Sequence, residues 1–137
     1  MPWIGFALCM SCGSYFVFSA AACLSTHWPL KVEGLEPGPR LDAWRERLVT
    51  AWTGVIAGGL PPVGTHRFYF DRGDETLDQF YGQFQTRIDG VFREAGYGPG
   101  RFQSLLFPGA QHNEASWNGR LDVPLTFLLS PRPTQTS

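Results

Sequence analysis

The 137-residue chain predicts an α/β domain, with about three parallel strands joined by crossover helices. Short apolar runs bounded by turn residues, Ala20 to Ser25, Arg67 to Asp71 and Phe102 to Phe107, read as strands. They lack the polar alternation of a sheet with one wet face, so both faces are covered. Between and after them lie longer segments whose apolar residues recur every three or four positions. The order strand, helix, strand, helix, strand, helix argues for right-handed βαβ units.

The first strand closes at Ser25-Thr26-His27-Trp28-Pro29, and Lys31 to Arg40, holding Gly34, Pro37, Gly38 and Pro39, is a surface loop. A helix follows, with Leu41, Trp44, Leu48, Trp52 and Val55 as its apolar stripe; Gly58-Gly59 and Pro61-Pro62 stop it. The second strand ends in the polar turn Arg72-Gly73-Asp74-Glu75-Thr76. Leu77, Phe80, Tyr81, Phe84, Ile88, Val91, Phe92 and Ala95 then form one continuous helical stripe, ended by Gly96-Tyr97-Gly98-Pro99-Gly100. That glycine cluster follows a helix, so it is a C-cap and turn and not a phosphate cradle. After the third strand and its exit loop Pro108-Gly109-Ala110, a last helical region runs from about Asn113 to Leu129. A kink or restart is expected near Pro124, with Asp122 as a candidate cap of the restarted piece. Trp44, Trp52 and Trp117 fit helix faces and are expected in the core.

Composition bounds the function. The hydrophobic share of 43% and aromatic share of 15% are those of a globular domain, and a net charge of −1 gives no electrostatic reason to expect nucleic acid or an anionic membrane. Residues 1–137 read as a single partial domain, with a divergent start over 1–19 and a frayed tail over 130–137. The apolar stretch from Pro2 to Leu24 carries no Lys or Arg, which signal peptides need, so the cytoplasm is favoured over export. Ser and Gly residues dilute it as a membrane span. Cys9, Cys12 and Cys23 are too few and too clustered for a disulfide framework. With His27 they can be written C-x2-C-x10-C-x3-H, a zinc-like spacing, but the flanks are core-like and buried apolar thiols are the better reading. No zinc site is expected.

In a parallel sheet, ligands bind beyond the carboxyl ends of the strands. Three loops meet there: Ser25 to Trp28, Gly73 to Asp78 and Pro108 to Asn113. His112, at the tip of the third strand and the start of a helix, is the candidate general base; the bland alternative is a local hydrogen bond or cap. A base needs a carboxylate on its far nitrogen to fix the tautomer and steady the imidazolium. Asp74, Glu75 and Asp78 are the candidates, with Asp78 ranked first and Glu75 second, although first-turn acids also serve the helix dipole. Glu114 reads as a first-turn helix residue. Ser25, His27 and Trp28 are candidate substrate contacts, weighed against a hydrogen-bonded loop with Trp28 packed on the core. A nucleophile is missing. Ser11 lacks the leading glycine of a G-x-S-x-G elbow, and no crossover helix fits between it and Ala20. Cys9 and Cys12 fail on the same spacing.

The runs Ala21-Ala22-Cys23-Leu24-Ser25-Thr26-His27-Trp28-Pro29, Phe68-Tyr69-Phe70-Asp71-Arg72-Gly73-Asp74-Glu75-Thr76-Leu77-Asp78 and Phe107-Pro108-Gly109-Ala110-Gln111-His112-Asn113-Glu114-Ala115-Ser116-Trp117 resemble the esterase family of α/β-hydrolases that includes esterase D-like, feruloyl and enterochelin esterases. The resemblance spans about Ala20 to Leu129, and the H-N-E-A-x-W block is its most specific part. It implies the C-terminal part of an α/β-hydrolase fold and Ser-His-Asp/Glu hydrolysis of small carboxylic esters, without cofactor. It also implies that His112 is the triad histidine and that the acid falls within Asp74 to Asp78. Gly5 to Cys9 resembles the helix after the elbow, but Met10 to Phe16 departs from the pattern. The elbow is therefore expected upstream of Met1, through truncation, an internal start or a frameshift, and the chain is expected to be inactive alone. The alternative is a non-catalytic binding or assembly module that reuses half of the fold and self-associates through an exposed sheet edge.

Overall fold

The computed structural model describes residues 19–28, 34 and 36–131. Ser11, Cys9, Cys12, the apolar N-terminal stretch before Ser19 and the end of the tail lie outside the described residues. The order is β1 (Ala20–Cys23), α1 (Pro39–Gly59), β2 (Arg67–Arg72), a 3-10 helix (Thr76–Phe80), α2 (Gly82–Glu94), β3 (Phe102–Leu106), α3 (Glu114–Asn118) and α4 (Asp122–Leu129). The sheet is parallel with order β1-β2-β3, pairing Ala21 with Phe68 and Phe70 with Ser104. The chain is thus mixed α/β, and all three strands bring their carboxyl ends to one rim.

β2 is the central strand, and its alternation builds a core on each face. Phe68 and Phe70 point to one side, where they join Phe92, Phe102, Ile88 and, from α1, Val49 and Ile56. Phe92 stacks on Phe102 with ring centroids 4.5 Å apart. On this side α1 packs against α2. Arg67, Tyr69 and Asp71 point the other way, towards α4, where Tyr69 lies 6.1 Å from Phe127. Arg67 is buried, and its guanidinium donates to the carbonyls of Phe127, Ser130 and Pro131 at 2.6–2.9 Å. A cation thereby satisfies the last carbonyls of α4 and offsets the negative end of its dipole.

Two helices differ from the sequence reading, and a third differs only in its cap. On α1 the buried residues are Leu41, Val49 and Ile56, while Val55 is 62% exposed. Steps of three and four leave the centre of an apolar stripe uncertain by about one residue, and the core takes the edge that carries Val49 and Ile56. The stripe from Leu77 to Ala95 is not one helix. Its first turn is a 3-10 helix, in which positions three apart eclipse. Leu77 and Phe80 fall together on the exposed side, and Asp78 and Tyr81 fall together inside. The last helical region restarts near Pro124 as expected, breaking at Gly119–Leu121 and resuming at Asp122. Pro124 occupies the first turn of α4, where its missing N–H costs nothing, and Asp122 is the first helical residue with no side-chain cap.

The end of α2 follows the glycine signal. Gly96 takes φ +88°, Tyr97 N donates to Phe92 O and Gly96 N to Arg93 O, and the Tyr97 and Phe92 rings meet edge-on. This is a Schellman cap with its apolar contact.

Candidate active site

The loops after β2 and β3 are stitched together by backbone amides. Glu75 N donates to Ala110 O at 3.1 Å, Gly109 N to Asp74 Oδ1 at 2.6 Å and His112 N to Thr76 Oγ1 at 2.8 Å. Gly73 lies where the loops touch: a Cβ built there falls on the Ala110 carbonyl. Only a residue without a side chain permits this approach. Thr76 holds φ at +52°, which turns its hydroxyl towards the His112 amide.

This seam sets Asp78 beside His112, with Nδ1 and Oδ1 2.6 Å apart. Asp78 is fully buried, and its other oxygen accepts from Ser25 Oγ at 2.7 Å and Gly73 N at 2.5 Å. Three donors replace the water that a buried carboxylate loses. An acceptor-only carboxylate requires Nδ1 to carry the proton, so in the neutral ring the Nε2 lone pair is the basic one. The imidazole is enclosed by aromatic rings: Trp117 at 5.3 Å, His27 at 5.7 Å and Tyr81 at 6.0 Å between centroids. Tyr81 Oη and His27 Nδ1 share a hydrogen bond of 2.7 Å. Burial lowers the pKa of His27 from the ordinary 6.5, the neighbouring His112 acts in the same direction, and Asp78 opposes both. Burial and then Asp78 push the Tyr81 phenol up to about 12. Near neutral pH both groups are therefore uncharged.

A second buried cluster adjoins the first. Asp71, at the tip of β2, accepts from Arg120 Nη2 at 3.0 Å, Tyr69 Oη at 3.0 Å and Ser25 N at 2.8 Å. Burial, then the Asp71 carboxylate, raises the Tyr69 phenol above its ordinary value. Arg120 also donates to Ser25 Oγ at 2.7 Å and to Ser116 O at 3.2 Å, with its guanidinium 5.1 Å from the centre of the Phe107 ring.

The sequence-selected residues thus divide. His112 and Asp78 meet. Glu75 is exposed and joins the seam through its backbone, and Asp74 is spent on Gly109 N, so neither carboxylate bonds to the imidazole. His27 borders the imidazole. Trp28, 1% exposed and stacked on Phe84, is a core residue and offers no surface to a substrate. Ser25 is 2% exposed, with its hydroxyl committed to Asp78 and Arg120, and it too leaves the set of substrate contacts. Trp117, expected in the core, instead forms a wall of the site. Sequence reasoning missed Asp71, Tyr81 and Arg120. Asp71 had a readable signal, a charge ending an otherwise buried strand; Arg120 had none. Cys23 and His27 belong to no group of metal-ligating residues among the described residues. Compared with family models, with curated proteins and with solved structures, the chain matches none of them.

Proposed function

We propose that the chain carries the base-and-carboxylate part of a serine-type carboxylic ester hydrolase, built on the C-terminal portion of an α/β-hydrolase fold. The observation that carries this reading is the 2.6 Å contact between His112 Nδ1 and the buried Asp78, where two adjacent parallel strands end. In such a site a serine hydroxyl attacks the ester carbonyl while His112 Nε2 takes its proton. His112 then returns that proton to the leaving alcohol, and Asp78 steadies the imidazolium throughout. Ser25 is not that serine, because its proton goes to Asp78 and not to the imidazole. The nucleophile is assigned to residues outside those described.

The acyl-transfer competence of His112 is testable without a nucleophile. Diethyl pyrocarbonate, read by mass spectrometry, should acylate His112 in preference to the buried His66. Labelling should fall more than about tenfold in Asp78→Asn, whose amide would donate to Nδ1 and leave the ring proton on Nε2. A His112 no more reactive than His66 would end this reading. With p-nitrophenyl acetate, the unmutated chain should exceed His112→Ala only by acylation of the imidazole itself. A serine acyl-enzyme found by mass spectrometry would mean that the nucleophile lies within the 137 residues.

A second reading, a non-catalytic assembly module, is favoured by one observation. Leu121, Leu125 and Leu129, four residues apart at the start of and along α4, are 42%, 44% and 78% exposed. An apolar stripe on a helix surface favours association. Light scattering should then show a dimer or larger species that Leu125→Glu converts to monomer; a monomer at all concentrations would dismiss it.

A further inference from the structure

We infer that Arg120 and Ser25 form a positioning relay that aims Asp78 at His112, acting from the turn between α3 and α4 on a base 2.6 Å from the carboxylate. A guanidinium only donates and a carboxylate only accepts, while a hydroxyl has one proton and two lone pairs. Arg120 Nη2 sits 2.7 Å from Ser25 Oγ and fills one lone pair. The hydroxyl proton then has one acceptor to find, Asp78 Oδ2 at 2.7 Å. The charged donor polarises the hydroxyl and strengthens its bond to the carboxylate. With Oδ2 held by Ser25 and by Gly73 N, rotation of the Asp78 carboxylate is blocked and Oδ1 is left for the imidazole.

The ends of the relay are themselves held. Asp71 takes Arg120 Nη2 at 3.0 Å and the Ser25 amide at 2.8 Å, so one carboxylate fixes both members. Ser25 keeps φ at +45°, a left-handed conformation that costs a non-glycine residue energy and persists only where its surroundings enforce it. Here the strained turn directs the amide to one buried acid and the hydroxyl to another. Arg120 and Ser25 are 95 positions apart in the chain, and only the closed fold joins them.

The inference assumes that the imidazole of the proposed function is held by Asp78, and its test reads that imidazole directly, so a chain inactive towards esters does not affect it. The measurement is the His112 Nδ1–H resonance and its exchange with water in the unmutated chain and in variants. Ser25→Ala should speed exchange about tenfold, the factor carried by one hydrogen bond of this kind, or abolish the signal. Arg120→Met should act in the same direction, and adding it to Ser25→Ala should change nothing further. Tyr69→Phe removes a hydrogen bond from the same buried cluster but not from the path to Asp78, and should leave the resonance where it is. An unchanged signal in Ser25→Ala, or an equal response to Tyr69→Phe, overturns the relay. So do effects of Ser25→Ala and Arg120→Met that simply add. Should Arg120→Met not fold, Ser25→Ala and Tyr69→Phe decide the matter between them.

Discussion

Gly73→Ala is expected to destabilise the chain by about 3 kcal/mol, the upper part of the range for forcing atoms into packed space. The added methyl meets a backbone carbonyl, that of Ala110, which has no rotamer by which to give way. Relief requires the β2 and β3 loops to part, and the three bonds of the seam part with them: Glu75 N to Ala110 O, Gly109 N to Asp74 and His112 N to Thr76. At this chain length the thermal midpoint should fall by roughly 10 °C. Reactivity of His112 towards diethyl pyrocarbonate should lose its dependence on Asp78, because the seam is what brings them together. A midpoint within about 2 °C of the unmutated chain would show that the loops separate freely and that Gly73 does not set the site.

Asp71→Ala should have an effect of similar size, about 3–5 kcal/mol, the cost of removing one partner of a buried ion pair. The carboxylate is wholly buried and accepts from Arg120, Tyr69 and the Ser25 amide, so its loss leaves a guanidinium and two neutral donors without it. The cost comes from the stranded charge more than from the bonds themselves. Tyr69→Phe, which removes one neutral donor and leaves the ion pair intact, should cost only about 1 kcal/mol. Urea unfolding measures both. If the two variants shifted the midpoint equally, the Asp71–Arg120 pair would contribute little, and the turn between α3 and α4 would be held by its other contacts, among them the Arg120 bonds to Ser25 and Ser116.

β2 was legible because burial on both faces leaves a local mark: Phe68-Tyr69-Phe70 has no polar alternation to confuse with a half-wet strand, whereas β1 and β3, read from the same kind of apolar run, are only partly buried. Helix ends were legible where glycine or proline dictated them, as at Gly59 and Gly96. Less was readable where a tertiary bond overrode local pattern. The apolar spacing from Leu77 onward extends a helix in register with α2, yet the burial of Asp78 tightens that turn and turns Leu77 and Phe80 outward. Trp117 fits a core-facing helix position and instead stands against His112, because α3 is five residues long and starts at the rim.

Three acids within five positions, Asp74, Glu75 and Asp78, are equivalent to any argument from spacing. What separates them is where each carboxylate finds donors. Asp74 meets a backbone amide of the opposite loop, the Glu75 side chain stays in solvent, and Asp78 alone is drawn under the seam to the Ser25 hydroxyl, the Gly73 amide and the imidazole. Alternation of apolar runs, a property of neighbours in the chain, determined a parallel α/β sheet and the rim on which its polar loops gather. Which carboxylate faces His112, and that Arg120 stands behind it, was decided by contacts across 34 and 95 positions, because a buried charge goes where donors converge, and convergence exists only once the chain has closed.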